Sequence, residues 1–158
     1  MSATKPKKMK AWHYIFFAIV IIWAIGLKVY IAYWPKTELD INGRMLKVLV
    51  ADTPDHRFEG WSNKKSMGRY DGMLFVFNER SQHTMVMRDM KFPLDIVWLD
   101  GLNIVDMAPN VQPEDNIPEE ELTPYFARLS STMVLELPAG FIGANQLKIG
   151  DKIEIIKK

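Results

Sequence analysis

The chain has 158 residues, 48% hydrophobic and 25% charged, the composition of a chain that folds around a core rather than of a disordered one. Its net charge of +1 hides an asymmetry: Lys5, Lys7, Lys8, Lys10 and Lys28 precede Pro35 without a single acid, whereas the remainder carries fifteen Lys and Arg against nineteen Asp and Glu, a net −4. An acidic domain without a basic stripe excludes nucleic acid as a partner, and the absence of cysteine excludes disulfides, thiolate catalysis and Cys-ligated metal.

Residues 1–11 form a short basic tail, expected to be cytoplasmic. Residues 12–34 then read as a transmembrane helix. From Trp12 to Tyr33 the only charge is Lys28, and a helix of that length spans roughly 33 Å, enough to cross the hydrocarbon core. Trp12, Tyr14, Tyr30, Tyr33 and Trp34 crowd its two ends, where aromatic rings favour the headgroup boundary. A cleaved signal peptide also begins with a basic region, but its apolar stretch is shorter, about 7 to 15 residues, and ends in small residues rather than the bulky Tyr33-Trp34. The lysines before the helix keep the N-terminus inside by the positive-inside rule, which places the acidic domain in the periplasm or outside the cell, on a single-pass inner-membrane protein.

Residues 35–46 are expected as a linker leading into the first strand, and 47–158 as a β domain. Strand-like runs recur at Arg44–Ala51, Met73–Phe77, Thr84–Arg88, Leu94–Leu99, Asn103–Ala108, Met133–Leu137 and Lys152–Ile156, separated by turn residues. Seven such strands predict an all-β domain, a jelly-roll-like sandwich or small barrel. One short helix is expected after the caps Asp52-Thr53, ending at Gly60. Pro109 to Ser131 is the least regular part, with Glu114, Asp115, Glu119, Glu120 and Glu121 among four prolines; a loop of this length suits a partner surface.

No catalytic set stands out. His13, His56 and His83 are dispersed, no GxSxG elbow or phosphate loop occurs, and neither a metal nor another cofactor is indicated. The richest stretch is MRDMKFPLDIVWLD, residues 87–100. Pro93 belongs just before a strand, and Ile96–Leu99 is apolar on both faces, as in an inner strand. Asp95 therefore enters a buried strand, with Arg88 and Lys91 as the nearest partners. Two accounts follow: a structural ion pair, or a ligand pocket on which Arg88, Asp89, Lys91 and Asp95 converge.

The blocks RFEG (57–60), GMLFVF (72–77), MRDMKFPLDIVWLDG (87–101), VLELPAG (134–140) and LKIGDKIEI (147–155) resemble, in order and spacing, the bacterial and archaeal family called domain of unknown function 192. The resemblance covers Lys47 to Ile156. It implies a mainly β fold, often exported, and no established reaction. The family's Met-Lys-Asn-Thr is here Met87-Arg88-Asp89-Met90, and its Gly-Leu-Met is Gly60-Trp61-Ser62, so the polar groups of any shared pocket differ in this chain. The reading that results is a membrane-anchored binding or accessory module docking to an envelope or membrane protein, with a small-molecule, carbohydrate-like ligand or substrate at Arg88, Asp89 and Asp95 as the alternative.

Overall fold

The computed structural model describes residues 10–114 and 116–157, so most of the basic tail lies outside the described residues. The chain divides between Tyr33 and Trp34. The first unit carries one helix, α1 (Ala11–Ala32), long and apolar enough from Ala11 to Val29 to cross a membrane and with none of that stretch buried. Its bounds agree within two residues with the apolar run at 12–34.

The second unit begins with a hairpin where a linker was expected. Strand β1 (Lys36–Ile41) turns through Asn42-Gly43 into β2 (Arg44–Ala51), with Ile41 paired to Arg44. Both turn residues have positive φ, 53° and 82°, a conformation that Asn and Gly tolerate and that matches the twist of the flanking strands. Helix α2 (Pro54–Glu59) follows, and its caps are those expected: Thr53 Oγ accepts from the His56 N–H at 3.1 Å, and Gly60 ends the turn.

Strand β3 (Gly72–Ser81) pairs in parallel with β2, so 52–71, including α2, is a crossover. The chain continues through β4 (Thr84–Met85), β5 (Leu94–Asp100), β6 (Asn103–Val111), a 3-10 turn at Glu119–Glu121, β7 (Tyr125–Phe126), β8 (Ser131–Pro138), α3 (Phe141–Ala144) and β9 (Ile153–Lys157). Seven strands form one sheet in the order β6-β5-β8-β3-β2-β1-β9, while β4 and β7 pair separately. The sheet's two edges meet: Asn103 bridges Lys152, the Ile104 N–H donates to the Asp151 carbonyl at 2.8 Å, and the Ile153 N–H to the Leu102 carbonyl at 2.9 Å. The domain is therefore mainly β and curls towards a small barrel, which relieves its open edges.

Strand alternation divides the apolar residues into two cores. Leu39, Val48, Leu74, Val97, Leu135 and Ile153 belong to the inner one, drawn from nearly every strand of the sheet. Met73, Phe75, Ile96, Trp98 and Val134 lie on the opposite face, packed with Met85 of β4 and with Trp61, Met87 and Met90 from the connections. The two β3–β8 backbones approach closely at Gly72, where a Cβ would sit 2.3 Å from the Glu136 carbonyl oxygen. Only glycine fits there.

Candidate functional site

Asp95 sits at the start of β5 and is fully buried. Its carboxylate accepts backbone N–H groups from Asn110 (2.7 Å), Gly140 (3.1 Å) and Ile142 (2.7 Å), tying β6 and the first turn of α3 to the strand. The expected ion pair with Arg88 is not formed: three backbone donors satisfy the acid, and Arg88 is engaged elsewhere. Asp95 is a structural corner and does not share a pocket with Arg88.

Arg88 follows β4 and is half-buried. Its guanidinium pairs with Glu119, donates to the Phe58 carbonyl at 3.2 Å, and lies over the Phe58 ring at 4.2 Å from its centre. The Arg88 carbonyl takes the Ser62 hydroxyl at 2.9 Å, and the neighbouring Asp89, at φ 53°, gives its carbonyl to the Asn63 N–H at 2.9 Å. Arg88, Asp89 and Lys91 line a cavity of about 230 Å³ together with Glu114 and Glu119. The structure thus brings the charged corner and the acidic loop to one place, without Asp95. Within that loop, Glu114 accepts the Thr123 N–H at 3.0 Å, Glu120 and Glu121 are exposed on the 3-10 turn, and Asp115 lies outside the described residues. Among the described residues no three His, Asp or Glu side chains gather as a metal-binding group.

The strongest site is one that charge spacing did not single out. Glu136 is the only charge in β8, an inner strand between β5 and β3, and its ladder neighbours are Met73 and Ile96. The residue is 5% exposed. Burial pushes its carboxyl up to about 8, since no counter-charge offsets the lost hydration. It lines a cleft of about 380 Å³, within the range of small-molecule sites, roughly 300 to 1,000 Å³. Phe58 and Trp61 from α2 and the residues after it, Phe75 and Phe77 from β3, and Met85 and Met90 form the apolar walls; Arg57 and Arg88 stand among the polar ones. The indole Nε1 of Trp61 and the Nε of Arg88 are buried without hydrogen-bond partners. A buried acid with unspent hydrogen-bonding capacity in an aromatic cleft is poised to bind or exchange a proton with a ligand.

This arrangement defines a class of protein: a small curled β domain whose crossover connection covers an acid-floored cleft on the sheet's outer face, preceded in sequence by an apolar helix. The profile of the family DUF192, described as Uncharacterized ACR, matches residues 37–155, and the chain belongs to that family. Two solved structures share the fold. One, a candidate transcription regulator from Sinorhizobium meliloti 1021, is 26% identical with a TM-score of 0.69, covering 78% of this chain and 96% of that chain. The other, a protein of unknown function from Novosphingobium aromaticivorans DSM 12444, is 25% identical with a TM-score of 0.64, covering 77% and 84%. Comparison with curated proteins returns no match.

Proposed function

We propose that this chain is a single-pass membrane protein whose β domain lies outside the cytoplasm and binds a small molecule in the cleft floored by Glu136. The observation that carries the reading is Glu136 itself. An ionisable group buried with no partner lowers stability, and such costs are retained where a ligand offsets them. The cleft therefore takes precedence over the pocket expected at Arg88, Asp89 and Asp95, and over docking through the acidic loop, where Glu114 and Glu119 are spent on internal bonds.

Four lysines before α1, the net −4 beyond Pro35, and an apolar span too long for a signal-peptide core support an uncleaved anchor with the domain exported. The regulator description of the S. meliloti relative does not carry over, because an acidic domain lacks the basic surface that nucleic acid requires. Two measurements test the proposal on the full chain. Protease added to intact spheroplasts is expected to digest the chain beyond Trp34 and leave no cytosolic copy; protection overturns the topology. A thermal-shift screen in detergent is expected to find compounds that stabilise the wild type and not Glu136→Gln; compounds acting equally on both overturn the site.

A further inference from the structure

The unspent groups of the cleft narrow the ligand class, an inference that rests on reading the cleft as a ligand site. Charged groups share the lining with Glu136 from two segments: Arg57 and Glu59 on α2, and Arg88 after β4. Met73 and Ile96, which flank Glu136 across the ladder, bring no charge, and neither do Thr84 and Met85 on β4. Two of the three charges are neutralised, Glu59 by Lys64 at 2.7 Å and Arg88 by Glu119. Arg57 is different. Its Nη1 donates to the carbonyls of Asp52 (2.8 Å) and Val76 (2.9 Å), which are neutral, and among the described residues no carboxylate pairs with it. Its Nε and Nη2 have no partner there either, and these two N–H groups form the guanidinium edge that takes a carboxylate in a bidentate pair. Arg57 and Glu136 line the same cleft, yet no hydrogen bond or ion pair joins them. The other unspent polar atoms of the lining are donors as well, the indole Nε1 of Trp61 and the Nε of Arg88. The guanidiniums of Arg57 and Arg88 already lie over the rings of Phe77 and Phe58, at 5.4 and 4.2 Å from the ring centres, so those rings are occupied as cation partners. What the cleft lacks is an anionic acceptor.

We propose that the cleft binds a small organic monocarboxylate, its head held on the free edge of Arg57 and hydrogen-bonded by the Glu136 carboxyl, its apolar body against Trp61, Phe75, Met85 and Met90. The single unneutralised guanidinium suits one negative charge. A phosphate ester, close to doubly charged at neutral pH, leaves charge unbalanced against the apolar walls. Binding carries a proton balance. Burial without a counter-charge keeps the Glu136 carboxyl at about 8, so in the empty cleft it is mainly protonated at neutral pH and its O–H is a donor. Below 8 the anion binds with no proton exchanged. Above 8 the ionised Glu136 takes one proton from solvent, the carboxyl O–H bond forms, and that hydrogen is donated to the ligand. Affinity is therefore level between pH 6 and 7 and falls as pH climbs past 8.

Isothermal titration of the detergent-solubilised full chain tests this with three isosteres built on one ring, the anion benzoate, neutral benzamide and cationic benzamidine, while acetate supplies the head without the body. At pH 7 benzoate is expected to bind roughly tenfold or more tightly than any of the other three. Between pH 7 and 9 it is expected to lose about tenfold in affinity, taking up close to one proton per ligand at pH 9 in a buffer-enthalpy series. Glu136→Gln keeps a weaker donor and cannot titrate, so it is expected to bind benzoate about tenfold less tightly at pH 7 and to show no further loss at pH 9. Arg57→Gln and Arg57→Lys, each shown folded by its melting curve, lose the bidentate edge and are expected to bind benzoate about tenfold or more weakly, with benzamide affinity unchanged. Benzamide or benzamidine bound as tightly as benzoate overturns the carboxylate and leaves the cleft a ligand site. Benzoate affinity untouched by both Arg57 substitutions, or level through pH 9, overturns it too. No binding by any probe at tens of millimolar overturns both the carboxylate and the ligand site.

Discussion

Asp95 and Glu136 lie one position apart in the β5–β8 ladder, where Asp95 faces Leu137 and Ile96 faces Glu136. Both are buried, at 0% and 5% exposure. Asp95 lies on the alternation of the inner core and receives three backbone N–H groups; Glu136 lies on the outer face, among methionine and aromatic side chains, and its carboxyl has no hydrogen-bond partner among the described residues. Burial of an acid is thus no guide to its role. A carboxylate whose acceptors are filled by the fold holds the fold together, and one whose acceptors are left open is available to something else.

The largest expected effect breaks the comparison on the Glu136 side. Its carboxyl is at about 8 in the folded protein against an ordinary 4.5. A group raised in this way contributes its stability fully below the ordinary value and loses it as pH climbs towards 8, so the wild type is expected to lose stability across that window, on the order of 5 kcal/mol as an upper bound. Glu136→Gln removes the ionisation, and its urea stability is expected to stay nearly flat between pH 5 and 9 and to exceed the wild type at pH 9. Parallel profiles for the two proteins would mean that the acid is satisfied after all, and the distinction between the two carboxyls would be lost.

Next in size is the Asp95 side. Asp95→Asn keeps the shape but replaces one acceptor oxygen with an amide that turns N–H towards N–H, at either Ile142 or the Asn110 and Gly140 pair. The expected cost is about 3 kcal/mol, since hydrogen bonds to charged groups are the stronger ones and the orphaned donors stay buried. The melting temperature should fall by about 10 °C, with no gain at high pH to offset it. A variant as stable as the wild type would show that water or a shifted α3 replaces the lost acceptor.

Much of this architecture was legible in the residues. The apolar run gave α1 within two residues, RMLKVLVA gave β2, and Thr53 with Gly60 bracketed α2 because capping is a local property of side chain and backbone. Pro93 fell immediately before β5, where its missing N–H costs nothing. Reading 35–46 as a linker passed over Asn42-Gly43, a hairpin signal among the strongest in short-range sequence. The sites were harder to see for two physical reasons. Charge pairing suggested Arg88 for Asp95, yet the real partners are backbone amides at positions 110, 140 and 142, and every residue but proline carries such an amide, so composition cannot point to them. In VLEL, alternation puts Val134 and Glu136 on one face and leaves that face to be read as solvent. The crossover that covers it is contributed by residues 52–71 and the connection after β4, and a period-two pattern carries no trace of a lid supplied from elsewhere in the chain. The available signal was that Glu136 is the sole charge in an inner strand and interrupts the apolar run from Met133 to Leu137.

The smallest expected effect sharpens the comparison with a third carboxyl. Asp106 on β6 takes the Arg128 guanidinium at 2.7 Å, together with the backbone N–H groups of Met107 (2.9 Å) and Arg128 (2.7 Å). The Arg128 side chain, which is the leading cause, holds the Asp106 carboxyl down to about 2. Because the folded value lies below the ordinary 3.8, this group stabilises above that pH and the contribution is lost as pH falls towards 2, the reverse of Glu136. Arg128 itself is largely exposed, 74% at the side chain, so solvent screens the pair. Arg128→Ala leaves both backbone donors in place, and the melting temperature at pH 7 is expected to fall by no more than about 3 °C, with a shallower loss of stability between pH 4 and 2. A fall as large as that of Asp95→Asn would mean that the side-chain partner, and not the backbone, is what makes a buried acid structural in this domain, and the contrast between Asp95 and Glu136 would then have to be drawn on charge pairing instead of on filled acceptors.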